Sequence, residues 1–266
     1  MCTIVVASRL RADFPLIVAA NRDEFLGRPA LPPAERSPGL IAGVDLEKGG
    51  TWLGATRAGL FVGLTNQHTE HLLGPAPRSR GEVVLGALEA RSLDAALAFL
   101  RGLDMSLYNP FNLLLGDATR LVVGYSWRGQ RMELLDLPPG LHVLANDALR
   151  SPLYPKTWRA ARLVEPLLDQ PWETLAPGLA RALGDHALPP WAGPDEPPPA
   201  TAPDTVPLPV CDEELRPVAR SLQSVCVHTG HGYGTRSASL VAIGPNGLAR
   251  YLFADGPPCV TPFREV

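Results

Sequence analysis

The sequence predicts an α+β protein in which two mainly antiparallel sheets pack together with helices on their outer sides. Three observations carry this expectation. Short apolar runs occur in hairpin-like pairs near the start, two blocks of helical apolar spacing follow, and strand-like runs lie between and after them. With 266 residues, 45% of them hydrophobic, the chain has enough apolar surface for a substantial core, and a single domain over 1–266 is expected.

Cys2–Ala7 and Pro15–Ala20 are near-continuous apolar runs, the pattern of strands covered on both faces, joined by the charged connection Ser8–Asp13. Gly50–Gly54 and Leu60–Thr65 form a second pair around Arg57-Ala58-Gly59, so Asn21-Arg22-Asp23 and Asn66 are expected at strand ends. Ser79-Arg80-Gly81-Glu82 has the form of a capping box, and Val83, Val84, Leu85, Ala87 and Leu88 continue it as a buried helix. A second helix starts at Ser92 and runs through Ala95, Leu97, Ala98 and Leu100 to Gly102. Strands are expected at Phe111–Leu115, Arg120–Trp127, Met132–Leu135 and Leu141–Ala145. A helical pair follows, Thr157–Leu168 with Trp158, Ala161, Leu163 and Leu167 as its apolar stripe, then Trp172–Leu183. Pro189–Pro209 is dense in proline and reads as an exposed, partly extended excursion spanning about 187–210. Strands then resume at Ser221–His228, Ala238–Ile243 and Leu248–Phe253.

A net charge of −3 and the lack of any Lys/Arg run argue against nucleic acid as a partner. The four cysteines, Cys2, Cys211, Cys226 and Cys259, have no paired spacing, which suits reduced thiols and a cytoplasmic location. The apolar run Thr3–Ala7 is too short for a signal-peptide core, and no window approaches the roughly 20 apolar residues of a membrane helix, so no transmembrane segment is expected.

The chemistry is concentrated at Cys2. Removal of Met1 would give one residue both a thiol and an α-amine, and an amine titrating near 7.7–8.0 can act as a general base at neutral pH. Such a nucleophile needs a group to hold the amine, donors for an oxyanion and an anchor for the substrate. Asp23 ends the second strand of the first hairpin, within reach of the Cys2 amine. Asn66 and Asn146 each end an apolar strand; either amide suits an oxyanion hole, although Asn also caps turns there. Arg22 and Arg236 are candidate electrostatic anchors, with surface ion pairs as the competing use.

Met1-Cys2-Thr3, Ala20-Asn21-Arg22-Asp23-Glu24-Phe25, Gly50-Thr51-Trp52-Leu53-Gly54, Leu64-Thr65-Asn66, Ser79-Arg80-Gly81, Phe111-Asn112-Leu113, Leu144-Ala145-Asn146 and Tyr233-Gly234-Thr235-Arg236 follow one another along nearly the whole chain. In this set and order the sequence resembles the NRDE family, also called the transport and Golgi organisation protein 2 family. That family in turn resembles the N-terminal-nucleophile hydrolases of the penicillin V acylase and bile salt hydrolase type. The resemblance implies a four-layer αββα sandwich. It also implies Cys2 as nucleophile, Arg22 and Asp23 as its flanking pair, Asn66 and Asn146 as the amides, and Arg236 as a late arginine. Asn21 and Trp52 enter as supporting or substrate-binding residues. The acylases space their Arg and Asp three apart, whereas Arg22 and Asp23 are adjacent, and neighbours on a strand point to opposite faces. Asp23 is the safer carry-over of the two.

The leading expectation is an N-terminal cysteine hydrolase or acyl-transfer protein acting on an amide or related acyl bond of a small molecule, with no cofactor. The rival is a non-catalytic carrier of haem or a lipid or acyl molecule in the same pocket, a use the resembled family suggests. A third reading makes the proline-rich excursion an interaction module. His68-Thr69-Glu70-His71 and Cys226-Val227-His228-Thr229-Gly230-His231 hold metal- or haem-ligating residue types but lack zinc-finger spacing, so no metal is expected, although Cys226 and His228 would share a strand face. Gly230, Gly232 and Gly234 suit a turn better than a phosphate loop.

Overall fold

The computed structural model describes residues 2–67, 76–126, 130–149, 151, 154–188 and 216–266. The strands in chain order are β1 Cys2–Ser8, β2 Leu16–Phe25, β3 Ala30–Ser37, β4 Leu40–Asp45, β5 Leu53–Thr56, β6 Phe61–Asn66, β7 Phe111–Gly116, β8 Leu121–Tyr125, β9 Glu133–Leu137, β10 Gly140–Leu144, β11 Tyr233–Gly244, β12 Gly247–Ala254 and β13 Arg264–Glu265. The helices are α1 Arg80–Glu89, α2 Leu93–Arg101, α3 Pro155–Val164, α4 Trp172–Leu183 and α5 Arg216–Ser221. One sheet runs β10-β1-β2-β11-β12-β13, and the other is the meander from β3 to β9 in sequence order.

Side-chain alternation sorts the apolar strands into layers. Ile4, Val6, Val18 and Ala20 face the second sheet and pack with Leu53, Phe61 and Leu114. Val5, Ala7, Ile17 and Ala19 face the other way, onto Ala160 and Val164 of α3 and Leu175 and Leu179 of α4. On the far side, Leu88, Leu97 and Leu100 of α1 and α2 cover Val62, Leu113 and Leu115. The result is the four-layer αββα sandwich, and it explains why β1 and β2 read as unbroken apolar runs: both of their faces are buried. Each fully buried Leu or Phe contributes roughly 1.5–3 kcal/mol.

Ser92 caps α2 through Ala95 N, and α4 spans the expected Trp172–Leu183. Several expectations need correction. The strands β3 and β4 are absent from the sequence reading because Pro32 and Pro33 interrupt the pattern, which an edge strand tolerates. Residues 50–52 precede the strand rather than open it, and Asn21-Arg22-Asp23 lie within β2 rather than at its end. The capping box is half formed: Ser79 Oγ accepts from Gly81 N, while Glu82 takes the Tyr108 hydroxyl and Arg78 instead.

The buried face of α3 is Lys156, Thr157, Ala160 and Val164, with Trp158 37% exposed. The expected stripe is rotated because Lys156 is buried against Asp23. The expected strand Ser221–His228 is instead the end of α5 and an irregular segment. Its backbone groups bond to Asn21 Nδ2 and the Asp185 carbonyl, and it meets β11 at the single bridge His228↔Gly234 and through Thr235 N to the Val227 carbonyl. Gly230 and Gly232 take positive φ in the turn before β11. The proline-rich excursion and His68 to His71 lie outside the described residues. No helix among the described residues is long and apolar enough to cross a membrane.

Burial also sets a pH limit. Desolvation pushes the Tyr108 hydroxyl, which donates to Glu82, up to about 12, and pushes buried Tyr251 well above its usual range. The unfolded chain releases these protons first, so the stability they contribute is complete below the ordinary tyrosine value of 10.0 and is lost as pH rises through the folded values. Thermal melts from about pH 8 to about pH 11 are expected to show a falling Tm that begins near the ordinary tyrosine value. A flat profile would contradict it.

Candidate active site

Cys2 begins β1 on the face that looks toward the second sheet, and it is 8% exposed. It sits in a cleft of about 550 Å³ lined also by Arg22, Trp52, Asn66, Arg80 and Arg236. The register pairs Cys2 directly with Arg22 across the β1/β2 ladder, so both side chains share a face. Arg22 is 7% exposed and reaches Asp45 of β4 at 3.1 Å, with Glu24 at 3.7 Å. Arg28 binds the same Asp45 at 2.7 Å. Burial alone would push the Asp45 carboxyl up, but Arg28, the Lys48 backbone N–H and Arg22 outweigh it and hold it below the usual range.

The Cys2 backbone nitrogen donates to Asn146 Oδ1 at 3.1 Å, and Asn146 Nδ2 donates to the Asn66 carbonyl at 2.7 Å. One buried carboxamide thus links the starts and ends of strands in both sheets. Its segment is held from below. Thr65 Oγ1 donates to the Ala145 carbonyl at 2.5 Å, and Asn112 Nδ2 donates to the Asp147 carbonyl at 3.1 Å, Thr65 and Asn112 being partners in the β6/β7 register. The Asn66 side chain is exposed to the cleft at the end of β6.

Asp23 takes the opposite face. Its carboxylate receives Thr235 Oγ1 at 2.7 Å and Lys156 Nζ at 3.4 Å, in a pair whose side chains are both 0% exposed. Burial pushes the Cys2 thiol above its ordinary value and the Asp23 charge adds to this, while the Asp23 backbone N–H and the Arg22 guanidinium pull it down. The net shift is upward, so the thiol needs a base before it can act.

Arg236 is the extra residue of a bulge in β11 between Thr235 and Ser237; it lines the cleft and pairs with Asp255 at 2.7 Å. Trp52 is half-buried at the cleft wall. Asn21 is buried away from the cleft, where its Nδ2 donates to the carbonyls of Leu183 and Val225, each at 2.9 Å. Arg80 was not singled out by sequence reasoning. It opens α1 beside the cleft, is mostly buried, and bonds the Pro110 carbonyl at 3.4 Å; among the described residues no carboxylate pairs with it. Gly50, at φ +75°, lets α1 come this close: a Cβ there would lie 2.4 Å from the Gly81 backbone carbon.

The family model described as Transport and Golgi organisation 2 matches residues 1–253. The chain belongs to this family. A Transport and Golgi organization protein 2 homolog from Bos taurus is 31% identical over 253 residues, covering 88% of this chain and 84% of the relative. The Homo sapiens homolog is 29% identical with the same coverage. Among solved structures, the mutant C2A conjugated bile acid hydrolase from Clostridium perfringens is similar at a TM-score of 0.48 and 11% identity, covering 100% of this chain and 96% of that one. Penicillin V acylase from Agrobacterium tumefaciens gives 0.44 and 11%, covering 97% and 93%. In this member of the Transport and Golgi organisation 2 family, motifs spread along the sequence meet at one cleft: Cys2 and Arg22 from the first hairpin, Trp52 and Arg80 from the α1 docking region, Asn66, and Arg236 from β11. The Phe111-Asn112-Leu113 motif acts one step back, by holding the segment that carries Asn146.

Proposed function

We propose that this protein is an N-terminal cysteine hydrolase acting on an amide or related acyl bond of a small molecule that carries an anionic group. The observation that carries the reading is the 3.1 Å contact from Cys2 N to Asn146 Oδ1, at a cysteine whose side chain opens into the cleft. Once Met1 is removed by hydrolysis of its peptide bond, that nitrogen is an α-amine held by an acceptor, with its lone pair available for the thiol proton. The amine takes that proton as Sγ attacks the acyl carbon, and the resulting ammonium returns it to the leaving nitrogen as the C–N bond breaks. Water then cleaves the thioester, with the amine again as base.

Two contacts support different roles for the two amides. Asn146 holds the amine and has already committed its Nδ2 to the Asn66 carbonyl. The exposed Asn66 side chain is therefore the donor offered to the oxyanion. Arg80, close enough to the Cys2 thiol for their charges to interact, is the group for a substrate anion.

Intact mass combined with thiol alkylation tests the reading. The expected result is a mature chain lacking Met1 whose Cys2 alkylates fastest of all its cysteines near neutral pH. A chain that keeps Met1, or a Cys2 no more reactive than Cys211, would overturn it. Ligand binding that survives Cys2→Ala unchanged would then point to the carrier.

A further inference from the structure

On the outer side of the six-stranded sheet, away from the cleft, His186, Cys226, His228 and Cys259 bring their ligand atoms within 4.8 Å of one another. Cys226 Sγ lies 3.6 Å and Cys259 Sγ 3.5 Å from Nε2 of His228. The two imidazole rings lie 4.8 Å apart. A tetrahedral ion with Zn–S of about 2.3 Å and Zn–N of about 2.0–2.1 Å sets its sulfur and nitrogen ligands about 3.6 Å apart. Both measured sulfur–nitrogen distances match that edge. We propose that these four side chains form a closed Cys2His2 zinc site that clamps three segments of the chain together.

The surroundings are built for the same purpose. His186 Nδ1 lies 3.2 Å from the Cys226 carbonyl, the bond that fixes a ligating imidazole's tautomer and leaves Nε2 for the metal. The Asp185 carbonyl accepts Cys226 N at 2.9 Å, and the Asp185 carboxylate is itself gripped by Arg159. Gly184 admits the third segment: a Cβ there would lie 3.1 Å from Cys259 Cα. Binding one zinc ion releases one proton from each thiol, and the two thiolates then balance the charge of the ion, so the site needs no further counter-ion. The ion joins the end of α4, the segment before β11 and the turn after β12. Thr235, which receives the neighbouring Val227 N–H, carries that order to Asp23. Nothing here depends on the chemistry of Cys2.

The spacing of these residues hides the site in the sequence. Cys226 and His228 are one residue apart, but His186 and Cys259 are distant, so no zinc-finger pattern exists to be found.

The test uses the full-length protein, reduced and stripped with a chelator, then titrated with cobalt(II) and afterwards zinc. One equivalent of cobalt is expected to give strong visible d–d bands and a thiolate-to-cobalt charge-transfer band, both bleached by one equivalent of zinc. His186→Ala and Cys259→Ser, at exposed and part-exposed positions, are each expected to weaken zinc binding by more than about 100-fold, beyond the loss usual for a supporting residue. Circular dichroism checks that both variants fold. Cys2→Ala should bind zinc as the parent does, which separates failure of this proposal from failure of the hydrolase reading. A reduced protein that takes up no stoichiometric sulfur-ligated cobalt would overturn the zinc site. So would a cobalt spectrum that Cys259→Ser leaves unchanged, or a chain isolated with a Cys226–Cys259 disulfide that binds no zinc after reduction.

Discussion

Lys156→Met is expected to destabilise the fold by about 3–5 kcal/mol and lower Tm by roughly 6–20 °C, because it removes the lysine charge from a fully buried ion pair with Asp23. Both side chains of the pair are 0% exposed, and the pair ties α3 to β2 directly behind Cys2. The Thr235 hydrogen bond at 2.7 Å is neutral and does not supply the countercharge that Lys156 does. The double variant Lys156→Met with Asp23→Leu removes both charges and should recover much of the loss, since a buried pair replaced by apolar groups is often neutral in stability. Urea or thermal unfolding of the three proteins measures this. A single variant as stable as the parent would mean that the pair does not hold α3 in place.

Asn66→Ala is expected to slow acylation of Cys2 by about 10²–10³-fold while leaving the fold intact, if its exposed amide is the donor to the oxyanion. Asn146→Ala should differ in kind. It removes the acceptor of the Cys2 nitrogen and the donor to the Asn66 carbonyl, leaving two groups unpaired at a cost of about 1–3 kcal/mol each where they stay dry. That variant is expected to lose stability as well as activity. The burst of p-nitrophenolate from p-nitrophenyl acetate, followed with the mature chain, reports the acylation step, and Cys2→Ala supplies the zero. An Asn66→Ala burst as fast as that of the parent would remove Asn66 from the proposed mechanism. The pH dependence carries a second sign: the burst rate should rise as the α-amine loses its proton near about 7.7–8.0, below the raised range of the thiol.

The hairpin of β1 and β2, the capped helix α2, the full extent of α4, the positions of Cys2 and Asn66 at strand ends and that of Asn146 two residues past β10 could be read closely from apolar period, turn residues and motif order. These are local properties, fixed by residues a few positions apart. The edge strand β3 could not, because its two prolines imitate a loop, and the rotation of α3 could not, because it is set by a lysine whose partner is 133 residues away.

The pair Arg22 and Asp23 marks the boundary most clearly. Alternation requires that the two point to opposite faces, and the sequence determined that much. It could not decide which one meets Cys2, because β2 is apolar on both sides and a doubly buried strand shows no inside and outside in its pattern. Only the Cys2↔Arg22 register and the neighbouring layers assign Arg22 to the cleft and Asp23 to Lys156. The same reason governs the cysteine and histidine cluster. Its members are scattered in sequence and meet only where the end of α4, the segment before β11 and the turn after β12 pack together. Local pattern determined the strands and helices, and the contacts between distant segments decided which side chains share a site.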